Sequence, residues 1–322
     1  MVARLLHAED EALVRRLIDS YAFKPYRAYR VWSRARQAAI LRAEMDRRLA
    51  TPGCIGVVAG DGEAAVVAAC RPLAWDSAFF GLSMGRLDLL LRTPEGSAET
   101  MRSAVTALVD RCRDAGLVHV AARVDAADMQ AVAVLEEAGF RLMDALVTYF
   151  THPRKEAPTA VREVGCVRPL EPRDVESVLD ITREAYRGFS GRFQIDPHLP
   201  QDRGDEFYLQ WARECCAGRM ADRVVVADDG QGSIHGWAST RRVEPTSSVG
   251  GTTLWVGSLG ACRRDKPGAY AGLIRSLAMD NFAAGDATET QTQNHNVATV
   301  RIYEAVGAKY VRGDYTFHAW LG

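Results

Sequence analysis

The sequence has almost no net charge, no cysteine pair with CxxC spacing and no long apolar run. Its 40 lysines and arginines nearly balance 41 aspartates and glutamates, which gives a formal charge of −1 and a pI near 6.7. That balance argues against a nucleic-acid binder that works by bulk electrostatics, and the basic stretch at 27–48 is typical of a solvated helix face. No apolar run reaches about 18 residues, so we predict no membrane span.

The seven cysteines are scattered, odd in number and without a CxxC spacing. This pattern suits reduced thiols, argues against a zinc site or a disulfide framework, and leads us to expect no metal. The first ten residues carry acids too early for a signal peptide. With 322 residues, 48% apolar and 25% charged, we expect a cytoplasmic protein of two domains.

A duplicated segment supports this division. Residues 294–308 align with residues 126–140 when their glycines are superimposed. Both copies predict an amphipathic helix that is ended by a glycine and followed by a strand. The copies differ in their polar residues: Tyr303 aligns with Leu135, and Asn296 aligns with Asp128. Any chemistry on this helix is therefore predicted for the C-terminal half.

Each half shows the same predicted order of elements: two helices, a hairpin, a strand–helix–strand crossover, and a final helix and strand. The crossover implies parallel pairing between the strands that it joins. The predicted fold is α/β, with two tandem domains that each have a mixed central sheet flanked by helices. The boundaries are a first domain at 1–152, a polar linker at 153–164 and a second domain at 165–322.

The order of elements and the ending around Asn296, Tyr303, Glu304 and Gly307 resemble the GNAT N-acyltransferase superfamily. The resemblance covers the whole chain as a tandem pair and is stronger in residues 165–322. The segments at 290–296 and 315–320 are similar to amino-sugar acyltransferases. These include enzymes that acetylate dTDP-linked 4-amino-deoxysugars, to which 75–81 is also similar, and enzymes of antibiotic biosynthesis that acylate the aminoglucose of teicoplanin-type glycopeptides.

A basic, glycine-bearing loop precedes the helix predicted near 268–284. A strand that runs into such a loop and a helix N-terminus presents N–H groups and the positive end of the helix dipole to an anion. The predicted contacts to the pyrophosphate of acyl-CoA are Arg263, Arg264, Lys266, Gly268, Ala269, Tyr270 and Ala271. The family pattern Arg/Gln-x-x-Gly-x-Gly/Ala is broken by Asp265 and Tyr270, and an ordinary basic turn is the alternative.

The resemblance implies that acyl-CoA is the co-substrate. It implies that the strand with Leu259 and Ala261 splays from the strand at 288–292 and that the pantetheine arm lies in the gap. Tyr303 would then protonate or hydrogen-bond the departing sulfur, with a core aromatic as the alternative. Asn296 would contact the pantetheine or the adenosine, with a helix N-cap as the alternative.

The loop at 188–203 lies where GNAT enzymes usually build the acceptor site. His198 is a candidate base, acting directly or through water, and Asp196 would orient it or hold the acceptor's ammonium. Ordinary turn chemistry is the alternative reading of both residues. Other candidate bases are His235, His295 and His318.

In the first half, the acidic segment at 93–99 stands in place of the phosphate loop, and together with Leu135 it predicts a copy without catalytic activity. That copy would be a scaffold, a wall of the acceptor cleft or the holder of an unreactive CoA.

The predicted function is transfer of an acyl group from acyl-CoA to the amine of an amino sugar, by direct attack in a ternary complex. The acceptor is nucleotide-linked or part of a glycopeptide-type natural product, nucleic acid is not a partner, and the protein is a monomer or homodimer. The alternatives are a peptide, protein or antibiotic-resistance N-acetyltransferase and a non-catalytic acyl-CoA sensor.

Overall fold

The computed structural model describes residues 3–153, 157–161 and 165–322. Within the predicted linker, 154–156 and 162–164 thus lie outside the described residues. The chain divides into two units, one built from residues up to Ala145 and from Arg312–Gly322, the other from Leu146–Val311. None of the helices in the described part of the chain has the length and apolar character of a membrane span.

The strands and helices follow the predicted order closely. The strands are β1 (Arg4–Leu5), β2 (Ile55–Ala59), β3 (Val66–Pro72), β4 (Met84–Arg92), β5 (His119–Asp125), β6 (Arg141–Thr151), β7 (Cys166–Pro169), β8 (Arg223–Asp228), β9 (Ile234–Val243), β10 (Leu254–Cys262), β11 (Ala287–Gln293) and β12 (Lys309–Trp320). The helices are α1 (Glu11–Ser20), α2 (Arg34–Leu49), α3 (Ala74–Phe80), α4 (Ala98–Asp114), α5 (Met129–Glu137), α6 (Val175–Tyr186), α7 (Arg192–Ile195), α8 (Arg203–Cys216), α9 (Glu244–Ser248), α10 (Pro267–Ala283) and α11 (Val297–Ala305).

The first unit has the sheet order β1-β2-β3-β4-β5-β12. Its pairs are antiparallel except β4–β5, which is parallel because α4 provides the crossover between them. One core packs this sheet against α4 and α5 around Leu108, Leu135 and Phe317. A second core packs it against α1 and α2 around Leu17 and Leu41. The unit is therefore a mixed sheet covered by helices on both faces.

The second unit repeats this plan with the order β6-β11-β10-β9-β8-β7. The parallel pair is β10–β11, joined through α10. A core with Leu273, Leu277 and Tyr303 packs α10 and α11 onto the sheet. Trp237 is fully buried and its Nε1–H donates to Thr182 Oγ1 of α6 at 3.0 Å. The predicted mixed α/β architecture is thereby confirmed for both halves.

The division into units differs from the predicted boundaries at the last strand of each half. Residues 146–151 of β6 pair with β11 in the second unit, and residues 314–320 of β12 pair with β5 in the first. Each half thus completes its sheet with a strand from the other half. The alternation of apolar residues specifies which face of a strand is buried, but it does not specify which sheet the strand joins.

The duplicated helices α5 and α11 begin and end in the same way. Asp128 and Asn296 are their N-caps, and each side chain accepts a backbone N–H three residues later. Gly139 and Gly307 follow the helices with φ of 86° and 87°, a left-handed conformation that favours glycine. The sequence repeat therefore reflects a structural repeat.

Candidate functional site

The parallel strands β10 and β11 diverge part-way along their length. They pair from Leu254↔Ala287 to Val256↔Glu289. Beyond this point β10 pairs with β9, and β11 pairs with β6. The two strands thus separate where the resemblance predicts a splayed pair, which leaves one edge of each strand facing the gap.

A β-bulge lies at the start of this gap. The register between β10 and β9 shifts between Gly257 and Gly260, so Ser258 and Leu259 both oppose Ser239. The Ser239 hydroxyl accepts the Leu259 N–H at 3.0 Å and donates to the Leu259 carbonyl at 2.8 Å. The backbone of Leu259, a predicted cofactor contact, is therefore engaged within the protein.

Removing this hydroxyl should disturb the bulge. Ser239 is buried, so Ser239→Ala leaves a buried N–H and carbonyl without their partner. We expect the free energy of unfolding to fall by about 1–3 kcal/mol and kcat to fall with it. Urea unfolding and initial rates measure both; Ser233→Ala, in an exposed turn, is the control. A variant with unchanged stability and kcat would remove Ser239 from the site.

The backbone groups that face the gap belong to alternate residues of β10. The Arg263 N–H donates to the His235 carbonyl at 2.9 Å. Because hydrogen-bonded positions alternate along an antiparallel pair, the backbone of Ala261 also bonds to β9. The backbone N–H and carbonyl groups of Gly260 and Cys262 therefore point away from β9. The Tyr186 hydroxyl donates to the Gly260 carbonyl at 3.0 Å. The predicted contacts Leu259 and Ala261 thus flank the groups that face the gap.

Gly260 leaves no room for a side chain. A Cβ there would lie 2.9 Å from the Trp237 carbonyl oxygen and 3.0 Å from the Tyr270 ring. Tyr270, a predicted cofactor contact, therefore packs directly on the strand at the gap. This close approach is the reason for a glycine at an otherwise regular strand position.

Tyr303 lies on α11 with its ring buried beside Tyr149 and its hydroxyl at β11. The hydroxyl donates to the Gln291 carbonyl at 3.3 Å, and the Tyr149 and Tyr303 ring centroids are 5.7 Å apart. Burial, the neighbouring Tyr270 phenol and the hydrogen bond with it raise the pKa of Tyr303 well above that of free tyrosine. Burial also raises the pKa of Tyr270 to about 12. Both phenols are thus protonated at neutral pH, and Tyr303 combines a core position with a polar hydroxyl.

Asn296 is an N-cap, as the alternative reading predicted. Its Oδ1 accepts the Thr299 N–H at 3.3 Å, and its Nδ2 donates to Thr292 Oγ1 at 3.1 Å. The side chain therefore ties the start of α11 to the end of β11. Its contact with a cofactor stays a prediction.

The loop before α10 is a basic turn that leads into a helix N-terminus. Inside the turn, the Lys266 N–H donates to the Arg263 carbonyl and the Ala269 N–H to the Lys266 carbonyl, both at 3.0 Å. Lys266 is the N-cap without a side-chain capping bond, and the first turn of α10 holds no acid. Gly268 and Ala271 are partly buried and Ala269 is fully buried, so small residues line the start of the helix.

The two arginines of this loop form contacts within the protein. Arg263 Nε contacts Asp265 Oδ1 at 3.2 Å, which holds the pKa of that carboxyl below its usual range. Arg264 donates to the Glu184 carbonyl at 3.5 Å. Both guanidiniums are exposed, so their side chains can be reoriented toward an anion at small cost.

His198 and Asp196 come together in the loop between α7 and α8. Asp196 is fully buried, whereas the His198 side chain is 52% exposed, and His198 Nδ1 lies 3.4 Å from Asp196 Oδ1. The same carboxylate oxygen accepts the His198 N–H at 3.1 Å. The arrangement is both an Asx turn, as the alternative predicted, and a carboxylate placed to orient the imidazole.

The other candidate histidines lie in different surroundings. His235 is largely buried on β9 with Nε2 3.9 Å from Asp229 Oδ2, and His295 is exposed before α11. His318 is buried in the first unit, where its ring centroid is 4.5 Å from that of His119. His198 is the candidate that combines an accessible imidazole with an adjacent buried carboxylate.

The first unit has the same divergence of parallel strands but different side chains around it. Strands β4 and β5 pair only from Met84↔His119 to Leu87↔Ala122. Asp128, at the position of Asn296, forms two hydrogen bonds of 2.7 Å with Arg92, and both side chains are buried. Leu135 replaces Tyr303 and is fully buried. An ion pair and an apolar side chain thus occupy the positions where the second unit has an amide and a phenol.

Two curated relatives have sequences similar to this chain, whereas no protein-family model matches it. The spore coat polysaccharide biosynthesis protein SpsD of Bacillus subtilis (strain 168) is 26% identical over 166 residues, which cover 48% of this chain and 50% of that protein. The dTDP-fucosamine acetyltransferase of Escherichia coli O6:H1 is 24% identical over 248 residues, which cover 76% of this chain and 94% of that protein. The match thus spans half of the first relative and nearly all of the second.

Solved structures resemble the chain over almost its full length. A GCN5-related N-acetyltransferase from Sphaerobacter thermophilus has a TM-score of 0.63 at 16% identity, covering 99% of this chain and 95% of that one. A tandem GNAT protein from the clavulanic acid biosynthesis pathway has a TM-score of 0.52 at 15% identity, covering 99% and 98%. The chain therefore has the fold of a tandem GNAT protein.

Proposed function

We propose that the second unit transfers an acyl group from acyl-CoA to the amine of an amino sugar, nucleotide-linked or part of a glycopeptide-type natural product. The observation that carries this proposal is the gap between β10 and β11, with the Tyr303 hydroxyl at the β11 side. The acceptor class is supported by the similarity to the dTDP-fucosamine acetyltransferase. The other predicted properties, a cytoplasmic location and a monomeric or homodimeric state, stay predictions.

The residues present fit an acyl-CoA molecule. The start of α10, with Gly268, Ala269 and Lys266, suits the pyrophosphate, because its helix dipole and basic residues favour an anion. The outward backbone groups of Gly260 and Cys262 suit the amides of the pantetheine arm. Cys262, like Gly260, is an addition to the residues predicted from the sequence.

Tyr303 is the residue that we assign to the departing thiolate. The acceptor amine attacks the thioester carbonyl, so a C–N bond forms while the C–S bond breaks. The protonated phenol of Tyr303 hydrogen-bonds or protonates the leaving sulfur. The amine loses its proton to His198, directly or through water, and Asp196 orients the imidazole.

A single assay tests this function against its rivals. Release of free thiol is measured with acetyl-CoA and decanoyl-CoA over a panel of amino sugars, nucleotide-linked amino sugars, glycopeptide aglycones and peptides. Turnover with an amino-sugar acceptor supports the proposal. Turnover with peptides alone would favour a peptide acetyltransferase, and binding of acyl-CoA without any thiol release would favour a sensor.

His198→Ala should change the pH dependence of the reaction. If His198 accepts the proton of the amine, protonation of its imidazole produces the acidic limb of the kcat/KM profile. We expect the variant to lose that limb and to lower kcat/KM at pH 7 by at least about tenfold. The profile of His7→Ala, at an exposed histidine that is not assigned to the site, is the control. An unaltered acidic limb would exclude His198 as the base.

A further inference from the structure

Two arginines stand directly opposite each other on neighbouring strands of the first unit. The register of β3 and β4 pairs Arg71 with Arg86. Like charges in a cross-strand pair repel each other, so an isolated pair of this kind is destabilising. Negative charge close to the two guanidiniums would offset this repulsion.

A β-bulge supplies part of that negative charge. The register of β3 with β4 shifts between Ala69 and Cys70, and the extra residue on β4 is Asp88. Asp88 is almost fully buried, with Arg71 Nε at 2.6 Å and Arg86 Nε at 3.3 Å from its carboxylate. Arg48 Nη1, from the end of α2, lies 3.7 Å from the same carboxylate.

The arginines of this group lie at an accessible position. The arginine cluster consists of Arg48, Arg71, Arg86, Asp88 and Glu44, whose Oε2 lies 3.7 Å from Arg48 Nη2. These five residues alone carry three positive and two negative charges, a formal charge of +1. The three arginine side chains are 37%, 27% and 31% exposed, in that order. Because Arg71 contacts Asp88 through Nε, its terminal N–H groups are not engaged by that carboxylate.

We propose that the arginine cluster binds a phosphate or diphosphate group. Several guanidiniums that converge on one point match the geometry and charge of phosphate oxygens. Asp88 holds the side chains together in the absence of ligand and competes with the incoming anion. The first unit, which lacks the residues assigned to acyl transfer, thereby acquires a binding function of its own. This inference does not depend on the proposed acyl transfer.

The test is a calorimetric titration of the full chain with inorganic pyrophosphate. Arg71→Gln should weaken binding by about tenfold because it removes one cation next to the ligand. Asp88→Asn should instead strengthen binding several-fold because it removes the competing carboxylate and keeps a polar side chain of similar size. Arg15→Gln is the control, since Arg15 is an exposed arginine on α1 of the same unit.

The opposite signs separate a binding site from a structural ion network. Equal affinities of Asp88→Asn and the wild type would overturn the proposal, even if Arg71→Gln fails to fold. The titrations are repeated with variants that also carry Arg263→Gln and Lys266→Gln, so that pyrophosphate binding at the start of α10 does not contribute. Inorganic phosphate and a nucleoside diphosphate are compared with pyrophosphate, and tighter binding of the nucleotide would identify it as the source of the phosphate group.

Discussion

Tyr303→Phe is expected to lower kcat by about 10²–10³-fold while changing the dissociation constant of acyl-CoA by less than about threefold. The ring remains in its core position beside Tyr149, so the substitution removes only the hydroxyl. A proton donor to the leaving sulfur acts in the transition state, and its loss therefore appears in kcat. Steady-state kinetics and calorimetry with a non-hydrolysable acyl-CoA analogue measure the two quantities.

The control is Tyr310→Phe, because Tyr310 is 59% exposed and is not assigned to the site. A second readout is the alkaline side of the pH profile. Burial raises the pKa of Tyr303, and since the protonated phenol is the active form, a raised pKa moves its loss to higher pH. Deprotonation of the Tyr303 phenol should therefore not lower the kcat of the wild type between about pH 7 and 9.5. A kcat of Tyr303→Phe equal to that of the wild type would refute the assignment of Tyr303 to the leaving sulfur.

Asp128→Ala should destabilise the first unit by about 3–5 kcal/mol. The substitution leaves Arg92 buried without the carboxylate that forms two 2.7 Å hydrogen bonds with it. It also removes the N-cap of α5. Urea unfolding followed by circular dichroism gives the free energy, and kcat per folded molecule should stay within about twofold if this unit does not catalyse.

Two controls resolve the contributions at Asp128. Asp128→Asn retains the capping oxygen and removes the charge, so it should lose less stability than the alanine variant. Glu137→Ala breaks an exposed ion pair with Arg102 and should leave the free energy of unfolding almost unchanged. A loss of about 1 kcal/mol in Asp128→Ala would show that the cap alone matters. A large fall in kcat with intact folding would instead assign catalysis to the first unit.

Local features of the fold were predictable from the sequence because local interactions determine them. The duplicated helices have a capping residue at one end and a left-handed glycine at the other. Both signals can be recognised in the sequence, for example at Asp128 and Gly139. The hairpin between β2 and β3 likewise turns at Gly60 and Gly62, both with positive φ. The splayed parallel pair followed from the resemblance.

Other features depend on contacts between distant residues. Ser239 is an ordinary strand serine in the sequence, and its role appears only when the bulge at Leu259 faces it. Tyr186 ends a helix, and nothing local indicates that its hydroxyl reaches Gly260. His198 and Asp196 were predicted together because they are two residues apart. The difference in their exposure, which leaves His198 accessible and Asp196 buried, depends on how the loop packs and was not predictable from the sequence.

The exchange of final strands has a consequence for any attempt to produce the two halves separately. A half that borrows its last strand from the other half cannot complete its sheet when expressed alone, whether residues 1–152 or 165–322 are chosen. The first half of the sequence thereby contributes a strand to the sheet that holds the candidate site, independently of any ligand that it binds itself.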